Sequence, residues 1–320
     1  MNYLFNTQIC YNQIKNESNM KRLPIGISDF KQVIEEDNYF IDKSMLIHEL
    51  INSNAQVTLL PRPRRFGKTL NLSMLRYFFN NREDNSHLFK DLAISKTPEF
   101  REYVGKYPVI FLSFKDIKSS NSKDALNKIS VLIREEFGRH KKSISKIIDT
   151  INDEDRYNYY DIIQRKATQD VYEKSLELLS SLLSKAYNQK VVILIDEYDT
   201  PIHASYLNRY YSEFIEFIRN LLSGAFKDND YLYRGVITGI LRVSRESIFS
   251  GLNNIATYTI VDYEYSNRFG FTIDETKKIL ADFNLNNRYK DVSDSYNGYK
   301  IGKETILNPW SILNFVSDRE

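Results

Sequence analysis

The sequence predicts an α/β fold built on a five-stranded, mostly parallel sheet. Three observations predict it: short β-branched runs recur along the chain, helical periodicity separates them, and the first run leads into a glycine-lysine loop that opens a helix. Strands that alternate with helices are the pattern of parallel strands joined by crossover helices. Apolar runs without polar alternation belong to strands covered on both faces.

The elements follow in order. Residues 1–22 read as a loose N-terminal arm, and Pro24 to Phe40 mixes Gly, Ser and Asp with apolar residues. Asp42 or Ser44 is placed to cap a helix running through Ile51. Strands are expected at Val57 to Leu60, Val109 to Phe114, Val191 to Ile195, Arg234 to Thr238 and Tyr258 to Val261. The stretch 117–190 is polar and helical by pattern, an inserted helical subdomain. Phe214, Ile215, Phe217, Ile218, Leu221 and Leu222 form one apolar stripe, on a helix expected to end near Gly224. The main domain is thus expected over 23–262. A small C-terminal helical unit over 263–320 contains a Tyr296-Asn297-Gly298-Tyr299 turn and a closing Asn308-Pro309-Trp310.

Composition excludes several classes. With 42% hydrophobic and 27% charged residues in 320, the chain has the apolar surface that a packed core needs. Lys+Arg 44 against Asp+Glu 42 leaves a net charge of +2, so any basic patch is local and the basic character of an obligate nucleic-acid binder is missing. A single cysteine, Cys10, excludes an internal disulfide and a multi-cysteine zinc site, and points to a reducing, cytoplasmic setting. No apolar run approaches the ~20 residues of a membrane-spanning helix, and the N-terminus lacks the pattern of a secretory signal. His48, His87, His140 and His203 lie without metal-ligand spacing.

After the first strand comes Pro61-Arg62-Pro63-Arg64-Arg65-Phe66-Gly67-Lys68-Thr69, followed by the helical pattern Leu72, Leu75, Phe78, Phe79. In loops of the form G-x-x-x-x-G-K-[ST], backbone N–H groups at a helix N-terminus surround phosphates, Lys neutralises charge and the hydroxyl binds magnesium. Gly67, Lys68 and Thr69 fit; Arg62 stands where the first glycine belongs. Arg62, Arg64 and Arg65 are expected to crowd three further positive charges beside Lys68. Arg64, Arg65, Phe66, Gly67, Lys68, Thr69 and Leu70 are therefore the candidate phosphate-binding set. The same arginines suit a nucleic-acid backbone.

The third strand runs into Asp196-Glu197, at the carboxyl end where parallel sheets bind ligands. Thr69 and, through water, Asp196 are the candidate magnesium ligands. Glu197 is the candidate to orient or deprotonate the water that attacks a γ-phosphate. The acidic pair also suits capping of the next helix, and Asp199 before Thr200-Pro201 reads first as a turn. Thr238, ending the fourth strand, is a candidate sensor between the acidic pair and the γ-phosphate, or a threonine satisfying its own helix N-terminus. Arg242 and Arg245 are candidate catalytic cations, in cis or across a subunit boundary, with Glu246 as the alternative partner of Arg245. Lys68 completes the catalytic set of a P-loop NTPase.

Taken together, Leu23 to Phe30, Tyr39 to Ser44, Arg62 to Thr69, Leu194 to Pro201, Thr238-Gly239-Ile240, Arg268 to Thr272 and Tyr296 to Tyr299 resemble the AAA-ATPase-like family of bacterial P-loop proteins, related to the AAA and signal-transducing NTPases. The resemblance covers most of the chain, and the family's loop likewise carries Arg-Arg-Phe before Gly-Lys. It implies ATP and Mg2+ as cofactors, an adenine pocket near Ile25, Gly26, Ile27 and Phe30, and a winged-helix-like, truncated character for 263–320. Such proteins often carry a PD-(D/E)XK nuclease domain after the part represented here. The nearby Glu275-Thr276-Lys277 follows Thr272 as a capping box instead, so no nuclease activity is assigned. The expected function is ATP hydrolysis that moves a helical or C-terminal lid, alone or in an oligomer, with a nucleic-acid or nuclease partner and no membrane. The alternatives are a nucleotide-loaded switch or DNA-binding scaffold with negligible turnover, and a kinase, for which no acceptor site is visible.

Overall fold

Helices α1 (Phe30–Glu35) and α2 (Met45–Asn52) precede strand β1 (Val57–Pro61) and helix α3 (Lys68–Phe79) in the computed structural model, which describes residues 20–240 and 254–318. A short helix α4 (Pro98–Tyr103) leads to β2 (Val109–Ser113). Helices α5 (Ser122–Ile144), α6 (Asp153–Gln164), α7 (Gln169–Glu173) and α8 (Ser175–Tyr187) fill the stretch before β3 (Val191–Asp196). Next come α9 (Thr200–Leu207), α10 (Tyr211–Phe226), β4 (Leu232–Gly239) and β5 (Ile255–Thr257). The remainder is β6 (Phe271–Thr272), α11 (Ile273–Asp282), α12 (Tyr289–Ser295), β7 (Tyr299–Ile301), β8 (Glu304–Leu307) and α13 (Pro309–Asp318). The expectations for the arm up to residue 19, Cys10 included, and for Arg242, Arg245 and Glu246 lie outside the described residues.

Strands β1 to β5 form one all-parallel sheet in the order β2-β3-β4-β1-β5, an α/β fold of P-loop NTPase type. Every residue of β1 and β3 is buried, because helices cover both faces and leave no solvent side to demand polar alternation. The strand side chains divide by parity between two cores. Val191, Ile193 and Ile195 join Leu59 and Leu112 against α5, α8 and α10. Val192 and Leu194 join Leu60 and Val109 against α1, α2 and α3. The helical insertion thus lies on the sheet and shares its core.

Two details depart from the expected elements. The fifth strand is Ile255–Thr257, ahead of the expected Tyr258 to Val261. Asp262 accepts from both the backbone N–H (2.6 Å) and the hydroxyl (2.9 Å) of Thr259, which turns the chain away and leaves Val261 77% exposed. Helix α10 runs past Gly224 to Phe226. A Cβ at Gly224 would stand 3.3 Å from the Glu173 carbonyl, so this glycine permits close helix packing instead of ending the helix.

Residues beyond 262 contain a small antiparallel sheet, β6-β8-β7, which the sequence pattern does not announce. It packs with α11 and α13 around Ile279, Leu280, Ile312 and Val316. Thr272 makes the capping box on α11: its hydroxyl accepts from the Glu275 N–H, and the Glu275 carboxylate accepts from the Thr272 N–H. Among the described residues no helix is long and apolar enough to cross a membrane.

Candidate functional site

The loop after β1 turns into α3 through Gly67, whose φ of +78° is the left-handed conformation glycine adopts most readily. Arg65 is also left-handed, at φ +65°. This presents the first N–H groups of the twelve-residue helix α3, with its positive dipole end, toward the sheet's carboxyl rim. Lys68 is the first helical residue and is buried; its ammonium donates to the carbonyls of Arg62 at 2.9 Å and Pro63 at 2.8 Å. Burial lowers its pKa, while the negative charges of Glu197, Asp196 and Asp199 act in the opposite sense.

Thr69 meets the end of β3, whereas the ammonium of Lys68 bonds to carbonyls of its own loop. The Thr69 hydroxyl donates to Asp196 Oδ2 at 2.8 Å. Thr238, at the matching end of β4, donates to Asp196 Oδ1 at 2.7 Å. Ser113, which ends β2 in register with Asp196, donates to Oδ2 at 3.3 Å. Three hydroxyls on three elements therefore converge on one fully buried carboxylate, supplying the hydrogen bonds that a buried charge requires. Sequence reasoning missed Ser113, although a serine ending an apolar strand beside an acidic strand end is a readable signal.

Glu197 takes φ +51°, a strained conformation for a side chain with a Cβ, of the kind that clusters at functional sites. Its Oε2 accepts from the Thr200 hydroxyl at 3.1 Å. Glu197 lines two cavities. The first, of about 320 Å3, also receives Ile25, Gly26, Ile27, Arg65, Phe66, Gly67, Lys68, Thr69 and Leu70. The second, of about 700 Å3, receives Arg64 and Arg65. Thr238 and Asp196 are fully buried and line neither. Asp199 occupies the cap position of α9 and accepts from the Ile240 N–H at 2.9 Å, holding the chain as it leaves β4.

Two loop expectations are corrected. Arg62 does not stand beside Lys68 as a phosphate-facing cation: it is fully buried, and its guanidinium donates to the carbonyls of Pro61 (2.9 Å), Tyr258 (2.7 Å) and Tyr265 (3.2 Å). It also lies 5.4 Å from the centre of the Phe269 ring. Burial pushes its pKa down to about 10 against the pull of Asp262. The missing first glycine is thus replaced by a staple between the loop and the segment after β5. Phe30 is no base neighbour; it is a core residue in edge contact with Phe40 and tilted against Phe89.

The first cavity has a wall that the sequence did not reveal, made by residues beyond 262. Trp310 and Leu313 of α13 line it, as do Tyr39, Phe40 and Ile41. The Arg65 guanidinium stacks 3.8 Å over the Trp310 ring, the Asn308 amide donates to the Arg64 carbonyl at 3.3 Å, and the Gly270 N–H donates to the Phe66 carbonyl at 3.1 Å. Phe66 meets Tyr299 edge to face. Lys43, which also lines the cavity, donates to both oxygens of Glu275 at 2.7 Å. Each flank of the phosphate loop is therefore held by the C-terminal residues.

An uncharacterized protein in the vnfD 5′ region of Azotobacter chroococcum mcd 1 is 29% identical over 303 residues, covering 94% of this chain and 52% of that protein. The chain thus spans about half the length of that relative. No solved structure matches. A family model described as "Predicted AAA-ATPase" matches residues 24–249, from the cavity's N-terminal wall through the phosphate loop, Asp196, Glu197 and Thr238. On the strength of that match, the chain belongs to the AAA-ATPase-like family.

Proposed function

We propose that the first cavity binds ATP with Mg2+, that the chain hydrolyses it, and that the C-terminal residues respond to the phosphate loop. The observation that carries the reading is the 2.8 Å bond from Thr69 to Asp196, which unites the end of the phosphate loop with the acidic strand end. The donor set suits magnesium: a hydroxyl and a carboxylate are hard oxygen ligands, and magnesium commonly takes one or two protein oxygens beside phosphates and waters. Thr69 would hold it directly and the fully buried Asp196 through water; when bound it would neutralise phosphate charge.

The chain's own groups then divide the work. N–H groups of Gly67, Lys68 and Thr69 at the start of α3 bind the phosphates, and Lys68 balances their charge once it leaves the carbonyls of Arg62 and Pro63. Glu197, oriented by Thr200, accepts the proton of the attacking water. Ser113 and Thr238 position Asp196. Ile25, Gly26, Ile27 and the Trp310 side of the cavity bind the base. Because Arg65 is stacked on Trp310, movement of the loop toward phosphates reaches α13 directly. We read 263–320 as a winged-helix-like lid, on the sheet β6-β8-β7 packed with α11 and α13. We take a nucleic-acid or nuclease partner as the receiver of that movement, the pairing that the resemblance read from the sequence implies.

A non-hydrolysing switch is the second reading, favoured by the two carbonyls that occupy Lys68. Phosphate release separates the two. Hydrolysis predicts steady release by the wild type and a trapped ATP complex in Glu197→Gln; the switch predicts tight ATP binding and no release by either.

A further inference from the structure

The second cavity, about 700 Å3, shares Glu197 and Arg65 with the first. An attacking water occupies roughly 30 Å3 of liquid volume, so hydrolysis gives no reason for a space of this size, which falls in the range of small-molecule sites. Its walls come from three separate segments that reach the carboxyl rim of the sheet: Arg64 from the loop after β1, Lys118 from the loop after β2, and His203 from α9. None of these three side chains makes an ion pair within the described residues. The acidic groups that face them are Glu197 and Asp199. Of these, Glu197 is engaged by Thr200 and Asp199 by the Ile240 N–H. Leu207, 65% exposed, adds an apolar edge.

A guanidinium, an ammonium and an imidazole that line one cavity from three segments, with no acid paired to them among the described residues, match a ligand that carries several anionic oxygens on one centre. A planar carboxylate offers two oxygens in one plane; a phosphate monoester offers three in a tetrahedron and a higher charge. We propose that this cavity is a second ligand site, for an organic phosphate whose phosphoryl group sits among Arg64, Lys118 and His203 and whose less polar body lies along Leu207. Its seat beside Glu197 places the ligand's charge next to the group that handles the attacking water. The proposal goes beyond ATP binding, since the two cavities share only Arg65 and Glu197.

Calorimetric titration tests it on the full chain, held saturated with magnesium and a nonhydrolysable ATP analogue. The probes are ribose 5-phosphate and a 5′-phosphorylated thymidine trinucleotide, each beside its unphosphorylated counterpart. Phosphate-dependent binding of either is expected; ribose 5-phosphate alone sufficing identifies a free ester, and the trinucleotide alone a strand end. Lys118→Glu and His203→Ala, both at exposed positions, should weaken that binding at least tenfold while analogue affinity stays within twofold. Absence of binding by both phosphorylated probes while the analogue binds overturns the proposal, as does binding that neither substitution changes. Failure of the analogue itself removes the ATP reading alone, and the same titrations without it then decide the second site.

Discussion

Thr69 and Asp196, 127 positions apart, share a 2.8 Å hydrogen bond in which the threonine hydroxyl donates to the carboxylate. That bond joins the first turn of α3 to the last residue of β3. Replacing Thr69 by Val preserves the side chain's shape and removes its donor. Turnover should fall at least tenfold and the magnesium concentration needed for half-maximal rate should rise, as read by phosphate release against magnesium. An unchanged magnesium dependence would exclude Thr69 from that role.

Glu197 is the proposed base, and its amide isostere keeps volume while losing basicity. Glu197→Gln should bind ATP with affinity within about threefold of wild type and lose at least a hundredfold in turnover, in line with the size of general-base contributions. Equal loss of binding and turnover would show that Glu197 holds the nucleotide instead.

Trp310 is the chain's one tryptophan, and it lines the first cavity under the Arg65 guanidinium. Its fluorescence should therefore change on addition of ATP and magnesium. Such a cation–aromatic contact is worth about 0.5–2 kcal/mol, so Trp310→Ala should alter ATP affinity by roughly two- to thirtyfold. A fluorescence signal indifferent to saturating nucleotide contradicts the coupling of loop and α13.

Arg62 stabilises the fold from a position where other phosphate loops carry glycine. Arg62→Gly leaves the carbonyls of Tyr258 and Tyr265 without their donor and opens a cavity. The expected loss is about 2–4 kcal/mol by urea denaturation. A variant as stable as the wild type would mean that these bonds contribute nothing net.

Glu136 supplies a pH test away from the site. It is buried on α5; burial raises its pKa, but His140, Arg139 and the Phe111 N–H outweigh burial and hold it below the ordinary value of 4.5. A carboxyl whose pKa is depressed on folding adds stability that is fully present above the unfolded value and is lost as pH falls through the folded one. The stability advantage of wild type over Glu136→Gln, about 1–3 kcal/mol near neutrality, should therefore shrink as pH drops below about 4.5. A difference constant from pH 7 to pH 3 would contradict this.

The parts of the fold that were legible are those with one dominant physical cause. β1 and β3 are buried on both faces, so their apolar runs are continuous; Gly67-Lys68-Thr69 marks a turn that few residue combinations allow. β5 was displaced because it is a three-residue edge strand paired only with β1, and the more apolar Ile260 and Val261 just after it lie in an exposed turn. β6, β7 and β8 have two to four residues each, too few for a period to show. Arg62 was misread because an arginine among arginines looks like a phosphate contact. Its true partners, the carbonyls of Tyr258 and Tyr265, lie 196 and 203 positions away. The Trp310 wall was missed for the same reason: nothing local to Asn308-Pro309-Trp310 says which loop it packs against.

The most direct test of the central claim is the binding of ATP, with magnesium present, to the wild type and to Lys68→Ala, measured by calorimetry. One ATP per chain is predicted for the wild type, with affinity reduced at least a hundredfold in the variant. Equal affinity in the two proteins, or no binding by the wild type, would contradict it.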